Sequence, residues 1–341
     1  MNTQTLDTQS LAEYLKGRLP DFNGELEAEK FAGGQSNPTF LLKSGEQRWV
    51  LRRKPPGELL KSAHAVDREY RVLTALRDTD VPVAETYLLC EDDDVIGSMF
   101  YVMEYLEGRV LWDPKLPEVA SNEERAAMYD EMNRVLAALH SVDPEAVGLG
   151  DFGRPGNYFE RQISRWTKQY RASETETSPA MEALIEWLPA NVPADDGQVS
   201  LVHGDYRLDN LMFHATEPRV IGVLDWELST LGHPLADLSY QVMAWQLPDT
   251  EGIRGLMGVD RSSIGLPSDE AYLKEYCART GRDSIENWNF YLVFCFFRLA
   301  AILQGVKKRA LIGTASSAEA EARGAMVEPL AEFGVKYMNA G

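Results

Sequence analysis

The sequence has few cysteines and few basic residues, and each shortage argues against a class of protein. Its 3 cysteines are an odd number, widely spaced and without metal-ligand pairing, so they predict neither a disulfide framework nor a zinc site. They suit a reducing compartment, and we expect a cytoplasmic protein with core thiols. Because 34 Lys and Arg face 53 Asp and Glu, we expect no nucleic-acid partner and no binding to anionic membranes.

Targeting and membrane signals are also lacking. Residues 1–10 contain no basic region followed by an apolar one, so we expect no signal peptide. The most apolar stretch, residues 290–303, includes Arg298 and is too short to span a bilayer, which favours a buried helix. No internal repeat or low-complexity tract is visible. The length of 341 residues allows two domains with substantial cores, or one large domain.

Apolar periodicity divides the chain into two parts. The first hundred or so residues predict strands over 26–31, 39–43, 48–53 and 98–106, with one prominent helix over 63–76. The remainder predicts helices over 123–140, 158–170, 181–188, 235–245, 268–280, 285–309 and 317–338. We therefore predict an α+β fold: a small antiparallel-sheet lobe with one main helix over residues 1–106, and a larger, mostly helical lobe over 107–341.

A polar loop between two apolar runs carries the strongest chemical signal. An apolar run leads into His203-Gly204-Asp205, Asn210 follows Asp205 after 4 intervening residues, and a β-branched run over 220–223 precedes Asp225. Asp and Asn are common turn formers, so each residue alone has a structural explanation. The combination matches phosphoryl-transfer enzymes, in which one carboxylate orients the acceptor hydroxyl while an amide oxygen and a second carboxylate bind Mg²⁺. We expect Asp205 to be catalytic and Asn210 and Asp225 to be metal ligands.

Residues upstream predict a nucleotide site. A glycine-containing loop lies between two strands and could cover phosphates, although such a loop is often only a hairpin turn; it comprises Gly33, Gly34, Gln35, Ser36 and Asn37. A cation at the end of the next strand, Arg52 or on the opposite face Arg53, would pair with Glu69 of the following helix and hold phosphates. The alternative is an ion pair at the protein surface, which would contribute little to stability. Glu104 and Leu106 lie where adenine would bond the backbone.

Two further residues near the loop have supporting roles in this interpretation. His203 is expected to orient the loop and not to catalyse. Asp237, in the first turn of a predicted helix, is placed to accept hydrogen bonds from backbone N–H groups of the catalytic loop. Glu227 is left open between metal or substrate contact and a simple turn carboxylate.

These motifs resemble the aminoglycoside phosphotransferase and choline kinase-like enzymes, which have a protein-kinase-like fold. The resemblance runs from about Phe31 to Trp245, and its most specific parts are His203–Asp205 with Asn210, then Asp225, then Gly232–Asp237. It implies ATP or GTP with Mg²⁺. Residues 50–57 are most similar to the branch whose domains are fused ahead of acyl-CoA dehydrogenases. Because 341 residues leave no room for a flavin domain, we do not expect dehydrogenase activity.

Three departures from protein kinases qualify the resemblance. Asp225 is followed by Trp226 and not Gly, the loop at 33–37 lacks the full glycine pattern, and Arg52 replaces Lys, with which it is not interchangeable. Only 6 residues separate Asp225 from Gly232, so no long activation loop can dock a peptide.

We therefore expect a small-molecule hydroxyl as acceptor, with a hydroxyacyl compound or another metabolite favoured. The alternative is a nucleotide-binding pseudokinase or scaffold. An aminoglycoside or choline would suit an acidic pocket or aromatic cage, whereas a hydroxyacyl thioester would want cations such as Arg298 or Lys307. The sequence leaves this choice and the oligomeric state open.

Overall fold

The computed structural model describes residues 6–31, 37–55, 65–250, 253–313 and 320–340. The chain packs into two compact units, one of Met1–Arg109 with Leu211–Ser229, the other of Val110–Asn210 with Thr230–Gly341. Each unit is thus formed by two separate stretches of the chain. The predicted lobe boundary after residue 106 stays a prediction. The predicted order, an antiparallel sheet first and a helical remainder, is confirmed.

The first unit is built on a five-stranded antiparallel sheet in the order β1-β2-β3-β5-β4. The strands are β1 (Glu27–Lys30), β2 (Thr39–Ser44), β3 (Gln47–Arg53), β4 (Thr86–Cys90) and β5 (Phe100–Glu104). Its helices are α1 (Thr8–Leu15), α2 (Val66–Leu76) and α3 (Asp93–Ile96). In the register, Arg52 of β3 lies opposite Tyr101 of β5. A core that includes Leu11, Phe40, Leu51, Phe100 and Val102 covers one part of this sheet.

Helix α2 carries one acidic residue on its buried face. Val66, Val72, Leu73 and Leu76 are buried at the spacing of one helical stripe, and Glu69 lies among them at 1% exposure. A carboxylate in such a position needs polar partners, because burying an unpaired charge is costly. Those partners are Asn37, Arg52 and Tyr101.

A second sheet of the first unit has the order β6-β8-β9, with β6 (Gly108–Val110), β8 (Leu211–His214) and β9 (Val220–Val223). Gly108 has no room for a side chain here. A Cβ atom at this position would lie 2.3 Å from the backbone oxygen of Phe213 and 2.7 Å from Cγ of Met212. Since a backbone atom cannot rotate away, glycine is required by the close approach of the two strands.

We therefore expect Gly108→Ala to lower the free energy of unfolding by about 1–3 kcal/mol, the usual range for overpacking. The matched control is Gly305→Ala, where the nearest heavy atom to the added Cβ is 3.7 Å away. That helical position should be neutral or slightly stabilised. Urea denaturation of both variants measures the difference, and equal stability of the two would contradict the steric argument.

The second unit is mostly helical. Its helices are α4 (Asn122–Ser141), α5 (Tyr158–Ser173), α6 (Pro179–Ala190), α7 (Leu235–Trp245), α8 (Asp269–Thr280), α9 (Trp288–Leu311), α10 (Ala320–Gly324) and α11 (Val327–Met338). Two short antiparallel pairs complete it: β7 (Ser200–Val202) with β10 (Thr230–Gly232), and β11 (Asp249–Thr250) with β12 (Ile253–Arg254). Strand β7 delivers the chain directly into His203.

The last helices differ from expectation. A single helix over 317–338 is wrong for the described residues, because a turn at 325–326 separates α10 from α11. Gly324 ends α10 where a Cβ would lie 2.9 Å from Cβ of Lys307, so close packing selects a residue with poor helix propensity at the break. Helix α9 is long and apolar enough to cross a membrane by length and composition, and 67% of its most apolar window is buried inside the protein. Buried core helices of soluble proteins often have this length and composition.

Candidate active site

The candidate catalytic loop follows β7, and Asp237 holds its backbone in place. Gly204 adopts a left-handed conformation, with φ of 84°. The Asp237 carboxylate, 1% exposed, accepts hydrogen bonds from the backbone N–H of His203 at 2.6 Å and of Gly204 at 2.8 Å. Helix α7 therefore positions the loop through one carboxylate, as the sequence predicted for Asp237.

The Asp237 carboxylate is ionised because its partners outweigh its burial. Burial by itself would raise its pKa, but the hydrogen bond from His140, the proximity of the His140 and His203 rings and the Gly204 N–H lower the pKa below 3.8. His140 Nε2 lies 3.3 Å from Asp237 Oδ2, and its Nδ1 lies 2.7 Å from the hydroxyl of Tyr276. This buried chain of polar groups reaches the same oxygen, Oδ2, that accepts from the His203 backbone N–H, and it helps to fix the carboxylate in place.

Asp205, the candidate base, is partly accessible and lies among polar side chains. Burial raises its pKa above 3.8, while the charge of Arg207, the proximity of His203 and a hydrogen bond with the Tyr240 hydroxyl oppose the rise. The amide nitrogen of Asn210 donates to the Asp205 backbone oxygen at 2.8 Å and to Oδ2 at 3.0 Å. The structure thus brings Asp205 and Asn210 together. It also leaves the Asn210 amide oxygen without a hydrogen bond to the described chain.

His203 is fully buried and acts within the loop. Its Nδ1 accepts a hydrogen bond from the backbone N–H of Asp205 at 3.2 Å. That geometry matches the orienting role expected from the sequence, because the ring fixes the backbone beside the candidate base.

In the first unit, Arg52 lies between carboxylates. Its Nε is 2.8 Å from Glu69 Oε2, its Nη2 donates to Asp225 Oδ1 at 2.6 Å, and Glu227 is 4.0 Å away. The Arg52 guanidinium therefore lies within 4.0 Å of three carboxylates. The negative neighbours raise the pKa of Arg52 further despite its burial.

Glu69 is the most buried carboxylate of this cluster. The side-chain amide of Asn37 donates to its Oε1 at 2.7 Å, and the Tyr101 hydroxyl donates to its Oε2 at 3.2 Å. Burial raises the pKa of Glu69 to about 7, with Arg52 acting against that rise. Asn37, which the sequence placed at the end of the glycine-containing loop, is thus fixed to α2.

Arg53 points elsewhere. Its Nη1 donates to the backbone oxygen of Ile96 at 3.3 Å, and its guanidinium lies 5.7 Å from the centre of the Phe40 ring. Of the two arginines left open by the sequence, Arg52 is the one beside Glu69 and Asp225. Its role toward a nucleotide stays a prediction.

The other predicted nucleotide residues have mixed outcomes. Glu104 lies in β5, where its Oε2 accepts from the Glu85 backbone N–H at 3.1 Å. Leu106 packs closely on Gly222, because a Cβ atom added to Gly222 would lie 2.4 Å from Cδ1 of Leu106. Gly33, Gly34, Gln35 and Ser36 lie outside the described residues.

The donor set fits magnesium, although it is not a preformed metal cage. No three His, Cys, Asp or Glu side chains converge as a metal site within the described ranges. Mg²⁺ is usually held by one or two carboxylates together with substrate phosphates. Asp225 follows β9 with φ of 62°, and its Oδ2, unlike Oδ1, makes no hydrogen bond to the described chain. Asp225 and the Asn210 oxygen are therefore suitable hard ligands, each within its own unit.

The sequence interpretation missed several residues around the loop. Tyr240 lies one turn after Asp237 on α7, and that spacing could have identified it. His140 and Tyr276 come from α4 and α8, and no local signal in the sequence connects them with the loop. Arg298 of α9 was noted only as a possible substrate contact, whereas its Nη2 donates to the Gly204 backbone oxygen at 2.6 Å.

The fold and the loop are those of a kinase-like phosphotransferase family. The model of the phosphotransferase enzyme family, APH, matches residues 27–282, and the chain belongs to this family. It is 53% identical to a protein from Ralstonia eutropha JMP134 whose crystal structure bears the provisional description of an aminoglycoside phosphotransferase. The TM-score is 0.91, and the match covers 98% of this chain and 99% of that one. The predicted family and fold are confirmed.

A curated relative is much longer. The chain is 48% identical over 333 residues to acyl-CoA dehydrogenase family member 10 of Mus musculus. The matched region covers 97% of this chain but only 31% of that protein. A mutant of aminoglycoside phosphotransferase APH(4)-Ia, in a ternary complex with AMP-PNP and hygromycin B, has a TM-score of 0.61 at 14% identity. That match covers 96% of this chain and 98% of the other. At that identity the likeness shows the fold alone.

Proposed function

We propose that this protein transfers the γ-phosphoryl group of ATP, or of GTP, to a hydroxyl of a small molecule. The observation that carries the proposal is the geometry of Asp205. Its carboxyl is partly accessible, lies beside Asn210, and is held by a loop whose backbone is bonded to Asp237. Membership of the phosphotransferase family gives independent support.

The proposed roles follow from the chemistry of each side chain. Asp205 accepts the proton of the acceptor hydroxyl and orients its oxygen, as the catalytic-loop Asp does in protein kinases. Arg52, braced by Glu69, offers its guanidinium to nucleotide phosphates, for which a planar fork is well suited. Asn210 and Asp225 would hold Mg²⁺, which when bound neutralises charge on the phosphates.

The acceptor is proposed to be a small metabolite, with a hydroxyacyl compound favoured. The segment between Asp225 and Gly232 contains only the turn Trp226–Leu228 and the start of β10, so it offers no long loop for peptide docking. We also propose a cytoplasmic location, which the three buried free thiols suit. No nucleic-acid partner is proposed for so acidic a chain.

A direct test is turnover. The purified protein with ATP or GTP, Mg²⁺ and a panel of hydroxyl compounds should release nucleoside diphosphate and a phosphorylated acceptor in equal amounts, detected by phosphorus NMR. The second candidate, a nucleotide-binding scaffold without transfer, is favoured only by Arg52 standing where kinases use Lys. Nucleotide binding in a thermal-shift assay without turnover on any acceptor would support that candidate and contradict transfer.

The acid limb of the rate profile should report Asp205. A base must be deprotonated, and burial raises the pKa of this carboxyl above 3.8. We therefore expect kcat/KM to fall as pH decreases through an apparent pKa above 3.8. Because the charge of Arg207 lowers the pKa of Asp205, Arg207→Gln should move this limb to higher pH. A limb that does not move between the two proteins would contradict the assignment.

A further inference from the structure

Arg298 carries a buried positive charge that no described carboxylate pairs with. The residue is 6% exposed, and its only hydrogen bond in the described chain is from Nη2 to the Gly204 backbone oxygen at 2.6 Å. Its Nε is buried without a hydrogen-bond partner. A guanidinium has five N–H donors, and burying a charge without a partner costs free energy. An unpaired buried guanidinium is therefore a candidate for binding an anionic ligand. The unused donors are suited to an anionic oxygen.

This charge lies beside the candidate base. Gly204, whose carbonyl accepts from Arg298, directly precedes Asp205. Burial lowers the pKa of Arg298, but its neighbours, among them Tyr158, Tyr240 and, with a smaller effect, Asp205, raise it overall. Tyr158 and Tyr240 are also close enough for their hydroxyls to interact electrostatically with the guanidinium. The unused donors are therefore near the place where an acceptor hydroxyl must come to reach Asp205.

The aromatic rings of this region already hold a cation. The Arg298 guanidinium lies 5.8 Å from the centre of the Trp166 ring and 5.4 Å from that of Tyr240. Aromatic faces are what would bind a quaternary ammonium group. Here a choline or aminoglycoside cation would compete with Arg298 for them and be repelled by its charge.

Lys307, the other cation singled out in the sequence, does not share this property. It is on the same helix, α9, but its ammonium forms an ion pair with Glu176. Its charge is therefore already compensated at the surface. This difference makes Lys307 a control for Arg298.

We propose that Arg298 determines acceptor specificity by binding a carboxylate carried by the acceptor beside its reactive hydroxyl. The proposal rests on the function proposed above and narrows the hydroxyacyl compounds favoured there to the free hydroxycarboxylate, whose acid group is charged. It disfavours an amino alcohol or aminocyclitol. Arg298 then has two tasks, since one N–H group fixes the catalytic loop and the others recognise the acceptor.

The test compares selectivity within each protein. Wild type, Arg298→Gln, Arg298→Lys and the control Lys307→Gln are assayed with short hydroxycarboxylates, the carboxamide of each, and choline. The ratio of kcat/KM for carboxylate over carboxamide is read out, because a general disturbance of the loop lowers both values together. The wild-type ratio should be about thirtyfold or more, as for a buried charge pair. It should fall toward one in Arg298→Gln, recover partly in Arg298→Lys and persist in Lys307→Gln.

Several outcomes would overturn the proposal. These are a wild-type preference for choline, a ratio near one in wild type, or an equal loss on carboxylate and carboxamide in Arg298→Gln. If no acceptor is phosphorylated, the proposed transfer function fails, and the specificity is judged by thermal shift with the same compounds. Carboxylates that stabilise wild type and not Arg298→Gln would still support the anion site, whereas no shift in either protein would refute it.

Discussion

Asp205→Asn should lower kcat/KM for phosphoryl transfer by about a hundred- to ten-thousand-fold, the usual contribution of a positioned general base. The variant keeps the size and the hydrogen-bonding oxygen of the side chain but cannot accept the hydroxyl proton. Nucleotide affinity should change little, because Arg52 and Asp225 are untouched. Single-turnover rates with ATP and Mg²⁺, together with nucleotide titration, measure both quantities.

The matched control is Asp209→Asn. Asp209 belongs to the same loop and pairs with Arg207, so the substitution removes an identical charge at a neighbouring position. Transfer should remain near the wild-type rate. If both variants lose the same amount of kcat/KM, the negative charge of the loop matters and a base at Asp205 does not. An unchanged rate in Asp205→Asn would refute the catalytic role.

Asp237→Asn should be the most destabilising isosteric change in the second unit. The N–H groups of His203 and Gly204 bond to different oxygens of the Asp237 carboxylate. Asn has an oxygen at only one of these positions, so its NH₂ group would face the other N–H donor. Leaving buried donors unpaired and removing a buried charge near His140 should lower the free energy of unfolding by about 3 kcal/mol. Urea denaturation followed by tryptophan fluorescence gives the value.

The pH dependence of stability provides a second readout for this residue. The pKa of Asp237 is lowered in the folded state, so its stabilising contribution is fully present above the ordinary value of 3.8. It is lost as pH falls through the lower folded-state pKa. Asp237→Asn should lack that acid-dependent loss. The control Asp196→Asn removes a half-exposed partner of His233. If this control lowers the free energy of unfolding as much as Asp237→Asn does, the proposed bracing by Asp237 is contradicted.

Family membership and fold alone do not decide the acceptor. The relative named acyl-CoA dehydrogenase family member 10 is about three times as long as the matched region, so its name describes a larger protein. Structures of antibiotic phosphotransferases share the fold at low identity. The positive charge of Arg298 beside Asp205 is more informative about the acceptor, because a bound substrate must be electrostatically complementary to it.

The order and spacing of residues by themselves determined the phosphotransferase signature. Apolar periodicity gave the sheet-then-helix order, because buried strands and amphipathic helices must repeat at 2 and 3.6 residues. Asp205, Asn210 and Asp225 could be selected because their chemistry depends on residue type and local spacing. Even Asp237 could be assigned, since it lies at the start of a helix near the loop in sequence.

Only the tertiary structure decided which distant side chains complete these groups. The choice between Arg52 and Arg53 depended on strand β3, which directs alternate side chains to opposite faces, and on where α2 packs. His140, Tyr276 and Arg298 come from three helices that meet the loop only after folding. Whether a buried charge is paired is a property of its surroundings in space, and so the sequence alone could not show that no carboxylate of the described residues forms an ion pair with Arg298.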